Sequence, residues 1–182
     1  YKGLYAYPAT PFADDLSLDE EALRHNLRQL VAVGVNGIVL AGTSGESYTL
    51  TDAEHARMAE ILREETKDAG VVSVMGASGL NTDEIVRKVS TAMSLRIDAA
   101  LVLQPFYSPL TEREVLTFWR HLGEACPDIG LLVYHYYWVR QPYTLALYKK
   151  LASIPNLVGG KEAHFDFHLL KTLQDRSPLA HM

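Results

Sequence analysis

Apolar residues along this chain come in short unbroken runs, and each run is followed by a stretch whose apolar positions repeat at helical spacing. Residues 3–7 (Gly-Leu-Tyr-Ala-Tyr) read as a short strand, ended by Pro8 and Pro11. Ser17-Leu18-Asp19-Glu20 has capping-box spacing, Ser at the cap and Glu three places later. It predicts a helix to about residue 33, with Leu23, Leu27, Leu30 and Val31 on one face and Gly34 as the stop. Residues 36–41 read as a buried strand leading into Gly42-Thr43-Ser44-Gly45-Glu46-Ser47.

The cycle then repeats. Thr51-Asp52-Ala53-Glu54 is a second capping box, opening a helix to about residue 66, and residues 71–75 form a strand. Asn81 to Glu84 caps a helix reaching about residue 95. Residues 99–103 are a strand followed by Gln104-Pro105-Phe106-Tyr107. Thr111-Glu112-Arg113-Glu114 opens a helix to about residue 124, residues 129–134 are a strand, and residues 144–152 a short helix. A strand ending at Lys161 comes next, then a last helix over residues 166–173.

These six strand-then-helix units have strands that are apolar throughout rather than alternating, as in parallel sheets covered by helices. A repeat of about thirty residues suits a βαβ array. The pattern leaves two architectures open, a (β/α)₈ barrel or an open doubly wound sheet. Six units suffice for the sheet and fall two short of the barrel. No G-x-G-x-x-G follows the first strand, which weakens a dinucleotide-binding reading. With no linker or low-complexity segment, residues 1–182 are expected to form one domain.

Composition narrows the partners. The 182 residues are 48% apolar and carry a net charge of −5, which argues against a nucleic-acid footprint. A single cysteine, Cys126, excludes an intramolecular disulfide, fits a reducing compartment and reads as structural. No signal-peptide pattern or membrane-length apolar run is present, so a cytoplasmic protein without a membrane partner is expected.

The chemistry gathers at strand ends. Gly42, Thr43, Ser44, Gly45 and Glu46 follow the second strand, Tyr107 the fourth, Tyr134 ends the fifth and Lys161 the sixth. In a parallel barrel such ends converge on one face. Each residue has two readings. A lysine ending a strand either snorkels to water or, desolvated, becomes a neutral amine able to attack a carbonyl carbon. The Gly-Thr-Ser-Gly segment is either a tight connection or a nest for a carboxylate. Glu46 either opens the next helix or orients a neighbour in the site. A strand-end tyrosine either packs or, near a lysine and a threonine hydroxyl, relays a proton during imine formation.

Taken together, Thr10-Pro11-Phe12, Gly42-Thr43-Ser44-Gly45-Glu46-Ser47, Pro105-Phe106-Tyr107, Tyr134 and Asn156-Leu157-Val158-Gly159-Gly160-Lys161-Glu162-Ala163 resemble the dihydrodipicolinate synthase/N-acetylneuraminate lyase family of class I aldolases, in order and spacing. The resemblance implies a (β/α)₈ TIM barrel, apparently truncated after its sixth βα unit and lacking the last two. It implies a lyase in which Lys161 forms a Schiff base with pyruvate or another 2-oxo acid. Aldol cleavage or condensation with an aldehyde would follow, with no cofactor and no metal. Tyr134 would shuttle protons, Thr43 would link it to Tyr107, which in the family can come from a neighbouring subunit, and Gly42, Thr43 and Ser44 would hold the acid's carboxylate. A homo-oligomer, dimer or tetramer, is implied with it. Dehydration of a 2-keto-3-deoxy sugar acid by the same imine is the enzymatic alternative, and a non-catalytic acid-binding homologue the other.

Three departures bear on specificity. After Tyr134 the synthase pattern is roughly Tyr-Asn-x-Pro with an arginine soon after. Here the run is Tyr134-His135-Tyr136-Tyr137-Trp138-Val139-Arg140, with Val139 where the arginine is expected. That counts against dihydrodipicolinate synthesis itself and makes Trp138 and Arg140 the specificity loop, which reads either as fitted to a bulkier or more apolar second substrate or as simply packed. His164-Phe165-Asp166 replaces a small residue and Gly after Lys161, so His164 is either an extra acid or a helix-opening residue. The third is the stop after six units, which would leave the edges of the first and sixth strands unpaired.

Overall fold

The computed structural model describes residues 3–137, 139, 143–164 and 166–181. Strands and helices alternate as β1 (Tyr5–Ala6), α1 (Glu20–Ala32), β2 (Gly37–Leu40), α2 (Asp52–Thr66), β3 (Val72–Ser78), α3 (Thr82–Ser94) and β4 (Ala99–Leu103). They continue as α4 (Glu112–Ala125), β5 (Gly130–Tyr136), α5 (Leu145–Leu151), β6 (Leu157–Ala163), α6 (Phe167–Arg176) and β7 (Ala180–His181). Among the described residues the strands form one sheet in the order β1-β2-β3-β4-β5-β6-β7, and every neighbouring pair is parallel.

That order decides between the two architectures. An open doubly wound sheet reverses direction at a switch point. Here every crossover steps the same way, so successive helices cover one face and the sheet curls into part of a (β/α)₈ barrel. β2 and β4 are buried at every position, and β3 and β5 at all but their end residues, as continuous apolar runs require. On α4 the residues Val115, Phe118, Trp119 and Leu122, at helical spacing, all face this core. Each such side chain contributes roughly 1.5–3 kcal/mol by leaving water. Cys126 is a buried free thiol beside the Ser90 hydroxyl, and burial pushes it up. No described helix is long and apolar enough to cross a membrane.

Two expectations are corrected. The sixth strand is not an edge, because Ala180 and His181 pair with Gly159 and Gly160 as β7. Two residues carry no periodicity, so nothing in Leu179-Ala180-His181 marked a strand. The approach is close enough to need a bare α-carbon, since a Cβ on Gly159 would stand 2.5 Å from the Ala180 carbonyl oxygen. The cap of α1 is Asp19, whose carboxylate accepts from the Ala22 N–H at 2.9 Å, and not Ser17. Ser17 is instead tied to Asp15 through its N–H and hydroxyl, while Phe12 and Leu18 form an antiparallel bridge that sets the helix back by two residues. The Thr51–Glu54 and Thr111–Glu114 capping boxes form as expected, and Asn81 and Thr144 cap α3 and α5.

Candidate active site

Parallel register brings Tyr134 of β5 opposite Lys161 of β6, so the two side chains share one face of the sheet. Lys161 is not the end of its strand. Pairing continues through His135–Glu162 and Tyr136–Ala163, which stiffens the backbone on both sides of the amine. The Lys161 Nζ lies 4.6 Å from the centroid of the Tyr134 ring. Burial lowers the Lys161 ammonium from its ordinary 10.5. Tyr134 is buried, and its hydroxyl lies 3.3 Å from Thr43 Oγ1 in the segment after β2. Burial raises the phenol and the Thr43 hydrogen bond partly offsets that. Lys161, Tyr134 and Thr43 are thus one constellation drawn from the C-terminal parts of β5 and β6 and the segment after β2.

The segment that carries Thr43 is held from below. Ala41 takes a left-handed φ of 51°, which turns the chain sharply out of β2. Its carbonyl oxygen sits where a Cβ on Gly76 of β3 would be, at 2.0 Å, so only glycine fits there. The N–H groups of Gly45, Glu46 and Ser47 donate back to Gly42 and Thr43 carbonyls. The Thr10 hydroxyl, buried after β1, donates to the Gly45 carbonyl at 2.6 Å. Gly42 and Thr43 are half-buried, and Ser44 is exposed. Glu46 is exposed, also with a positive φ, and among the described residues its side chain makes no hydrogen bond or ion pair that would orient the constellation.

Tyr107 stands apart. Its side chain is 85% exposed and lines a surface hollow with Leu80, Pro105, Ser108 and Leu110. Within one chain it is not brought to Tyr134. Trp138 and Arg140 lie outside the described residues, while Val139 between them is buried.

The opposite face of β5 and β6 holds a polar network that the sequence pattern did not reveal. Glu162 Oε2 accepts from His135 Nδ1 at 2.8 Å and His164 Nε2 at 3.0 Å, and Oε1 accepts from His181 Nδ1 at 3.1 Å and from the Tyr148 hydroxyl. Burial alone would raise this carboxyl. The hydrogen bonds from His135, His181 and Tyr148 outweigh it and hold Glu162 at about 2. His164 therefore serves Glu162, on the far side of the sheet from Lys161.

His135, Glu162 and His164 offer ligand atoms within 4.8 Å of one another, a spacing a metal ion can bridge. The far sides of the rings speak against it. The Tyr143 N–H points at His135 Nε2 (3.5 Å) and the Asp166 N–H at His164 Nδ1 (3.2 Å). Those nitrogens carry the lone pairs, so the ring protons face Glu162 where a metal would need lone pairs. The cluster is a proton-filled cage around one carboxylate.

Sequence reasoning missed two site features. Tyr7, directly after β1, places its ring centroid 3.9 Å from Lys161 Nζ. The rule that found Thr43, Tyr134 and Lys161, inspecting the residue at each strand's C-terminal end, would have found it had it been applied to the first strand. The Glu162 cage had a weaker signal, the alternation Tyr134-His135 beside Lys161-Glu162, whose meaning depends on register.

Residues 1–179 match the model of the dihydrodipicolinate synthetase family, and the chain belongs to that family. It is 35% identical over 167 residues to 4-hydroxy-tetrahydrodipicolinate synthase of Methanothrix thermoacetophila, an alignment covering 90% of this chain and 54% of the relative. The chain thus spans little more than half the length of that protein. Among solved structures it superposes on dihydrodipicolinate synthase from Aquifex aeolicus with a TM-score of 0.92 at 27% identity, covering 100% of this chain and 62% of the other. Against the enzyme from Acinetobacter baumannii, solved in complex with pyruvate, the TM-score is 0.90 at 27% identity, covering 98% and 62%.

Proposed function

We propose that the chain carries the reaction centre of a class I aldolase-type lyase that works through an imine between Lys161 and a pyruvate-type 2-oxo acid. The observation that carries this reading is the half-buried Lys161 amine, lowered by desolvation and set in register beside a tyrosine whose hydroxyl meets Thr43. The neutral amine adds to the ketone carbon, and loss of water leaves a protonated imine as electron sink. Tyr134, with Thr43 beside it, relays the protons that the carbinolamine and the enamine exchange. Reversible aldol cleavage or condensation with an aldehyde follows from the enamine, and this chemistry asks for no cofactor or metal.

The N–H groups and hydroxyls of Thr43 and Ser44, beside Gly42, supply the place for the acid's carboxylate, since the amides that follow them are spent on the turn. The exposure of Tyr107 supports a homo-oligomer in which this ring enters the proton relay across a subunit boundary. The pyruvate complex of the Acinetobacter baumannii enzyme supports the choice of acid. The buried reduced thiol of Cys126 fits a cytoplasmic setting.

Borohydride reduction in the presence of pyruvate tests the reading. A reduced adduct is expected, mapped to Lys161 by peptide mass, and absent from Lys161→Ala. An adduct that persists in Lys161→Ala, or no adduct in the folded unsubstituted protein, would overturn it.

A further inference from the structure

This inference rests on the imine reading above and concerns the ring that reading does not use. Lys161 Nζ lies closer to Tyr7 than to Tyr134, 3.9 Å against 4.6 Å from the ring centroids. Tyr7 is half-buried, and its ring fills the space between the amine and the segment after β2: a Cβ on Gly42 would stand 3.6 Å from Tyr7 Cδ1. Burial first, with Tyr134 and Tyr5 adding, pushes the Tyr7 phenol up to about 12, so it is a poor proton carrier near neutral pH. What Tyr7 offers the amine is the face of its ring.

Imine chemistry makes two opposed demands on one nitrogen. Attack needs the neutral amine, and the electron sink needs a positively charged imine. Desolvation of Lys161 serves the first and works against the second. An aromatic face attracts a cation through its quadrupole, more strongly where water is excluded. We propose that Tyr7 is a catalytic residue whose ring face stabilises the iminium nitrogen formed on Lys161, and that its hydroxyl is dispensable for this.

In the step concerned, the Lys161 lone pair forms a bond to the ketone carbon and the carbonyl oxygen takes up protons and departs as water. The nitrogen keeps one proton and a positive charge in C=N. Removal of a proton from the neighbouring carbon then returns an electron pair to nitrogen as the neutral enamine. The ring face favours the charged species flanking that step, which keeps the adduct poised for proton removal rather than reverting to free amine and ketone.

Tyr7→Phe keeps the face and Tyr7→Leu removes it at comparable bulk, so the pair separates ring from hydroxyl. The first measurement is the pH dependence of Lys161 acetylation by acetic anhydride, read by peptide mass. Its midpoint reports the ammonium and its plateau rate reports access. Loss of the face is expected to shift the equilibrium toward neutral amine by about 2- to 30-fold. The midpoint therefore falls in Tyr7→Leu and stays in Tyr7→Phe. The second measurement is borohydride trapping at sub-saturating pyruvate, where the trapped fraction is expected to fall by a similar factor in Tyr7→Leu alone.

An unmoved midpoint in a Tyr7→Leu protein that keeps its circular dichroism spectrum overturns the proposal, and equal losses in both variants overturn it in favour of the hydroxyl. No adduct in the unsubstituted protein overturns the imine reading, and the role of Tyr7 in it. A midpoint shift seen alongside would show that the fault lies with the imine and not with the ring contact.

Discussion

Glu162 offers a stability test that needs no substrate. Its side chain is 1% exposed and receives hydrogen bonds from His135, His164, His181 and Tyr148, which join β5, β7, α5 and the segment after β6 to one carboxylate. The group titrates at about 2, against an ordinary 4.5. By linkage that gap contributes about 3 kcal/mol of stability at neutral pH. Because the folded value is the depressed one, the contribution is fully present above 4.5 and is lost as pH falls from there toward 2. Roughly 2 kcal/mol of it is gone near pH 3.

Glu162→Gln keeps the shape and removes the charge, and its NH₂ turns a donor toward N–H groups already aimed inward. It is expected to destabilise by about 3–5 kcal/mol at neutral pH, the range for breaking a buried charged pair. The assay is urea unfolding of both proteins at several pH values, followed by circular dichroism. Taking the difference between the two cancels the titration of carboxylates elsewhere. That difference should shrink by roughly 2 kcal/mol between pH 7 and pH 3. A gap that stays constant with pH, or a neutral-pH penalty under about 1 kcal/mol, would refute the account of the cage.

Two further predictions concern the reaction centre itself. Tyr134→Phe removes the hydroxyl that meets Thr43 and should lower turnover by about 10²- to 10⁴-fold, while costing no more than about 1.5 kcal/mol in unfolding free energy; unchanged turnover would remove Tyr134 from the relay. Gly76→Ala puts a methyl group 2.0 Å from the Ala41 carbonyl oxygen, which is backbone and has nowhere to retreat. A loss of about 1–3 kcal/mol is expected, together with weaker pyruvate trapping because Thr43 hangs from that turn. Full stability in this variant would show that the segment is not seated on β3.

Much of this molecule is written locally. The continuous apolar runs, the Thr51–Glu54 and Thr111–Glu114 boxes and the placing of Thr43, Tyr134 and Lys161 towards the C-terminal sides of their strands follow from residue type and spacing, because propensity and capping act within a few residues. The same local logic misplaced the cap of α1, where Asp15 competes for Ser17, and passed over β7, a strand made by its neighbour rather than by its own sequence.

Other features exist only once distant segments meet. Whether six strand-helix units curl or lie open depends on the direction of every crossover, which the uniform strand order settles. Register decides that Tyr134 pairs with Lys161 while His135 pairs with Glu162, and a slip of one residue would exchange the reactive face with the caged one. The contact of Tyr7 with Lys161 joins residues at opposite ends of the chain. Composition and periodicity specified which residues could be reactive; the curl of the sheet decided which of them meet, because desolvation and ring contacts act through space and are indifferent to distance along the chain.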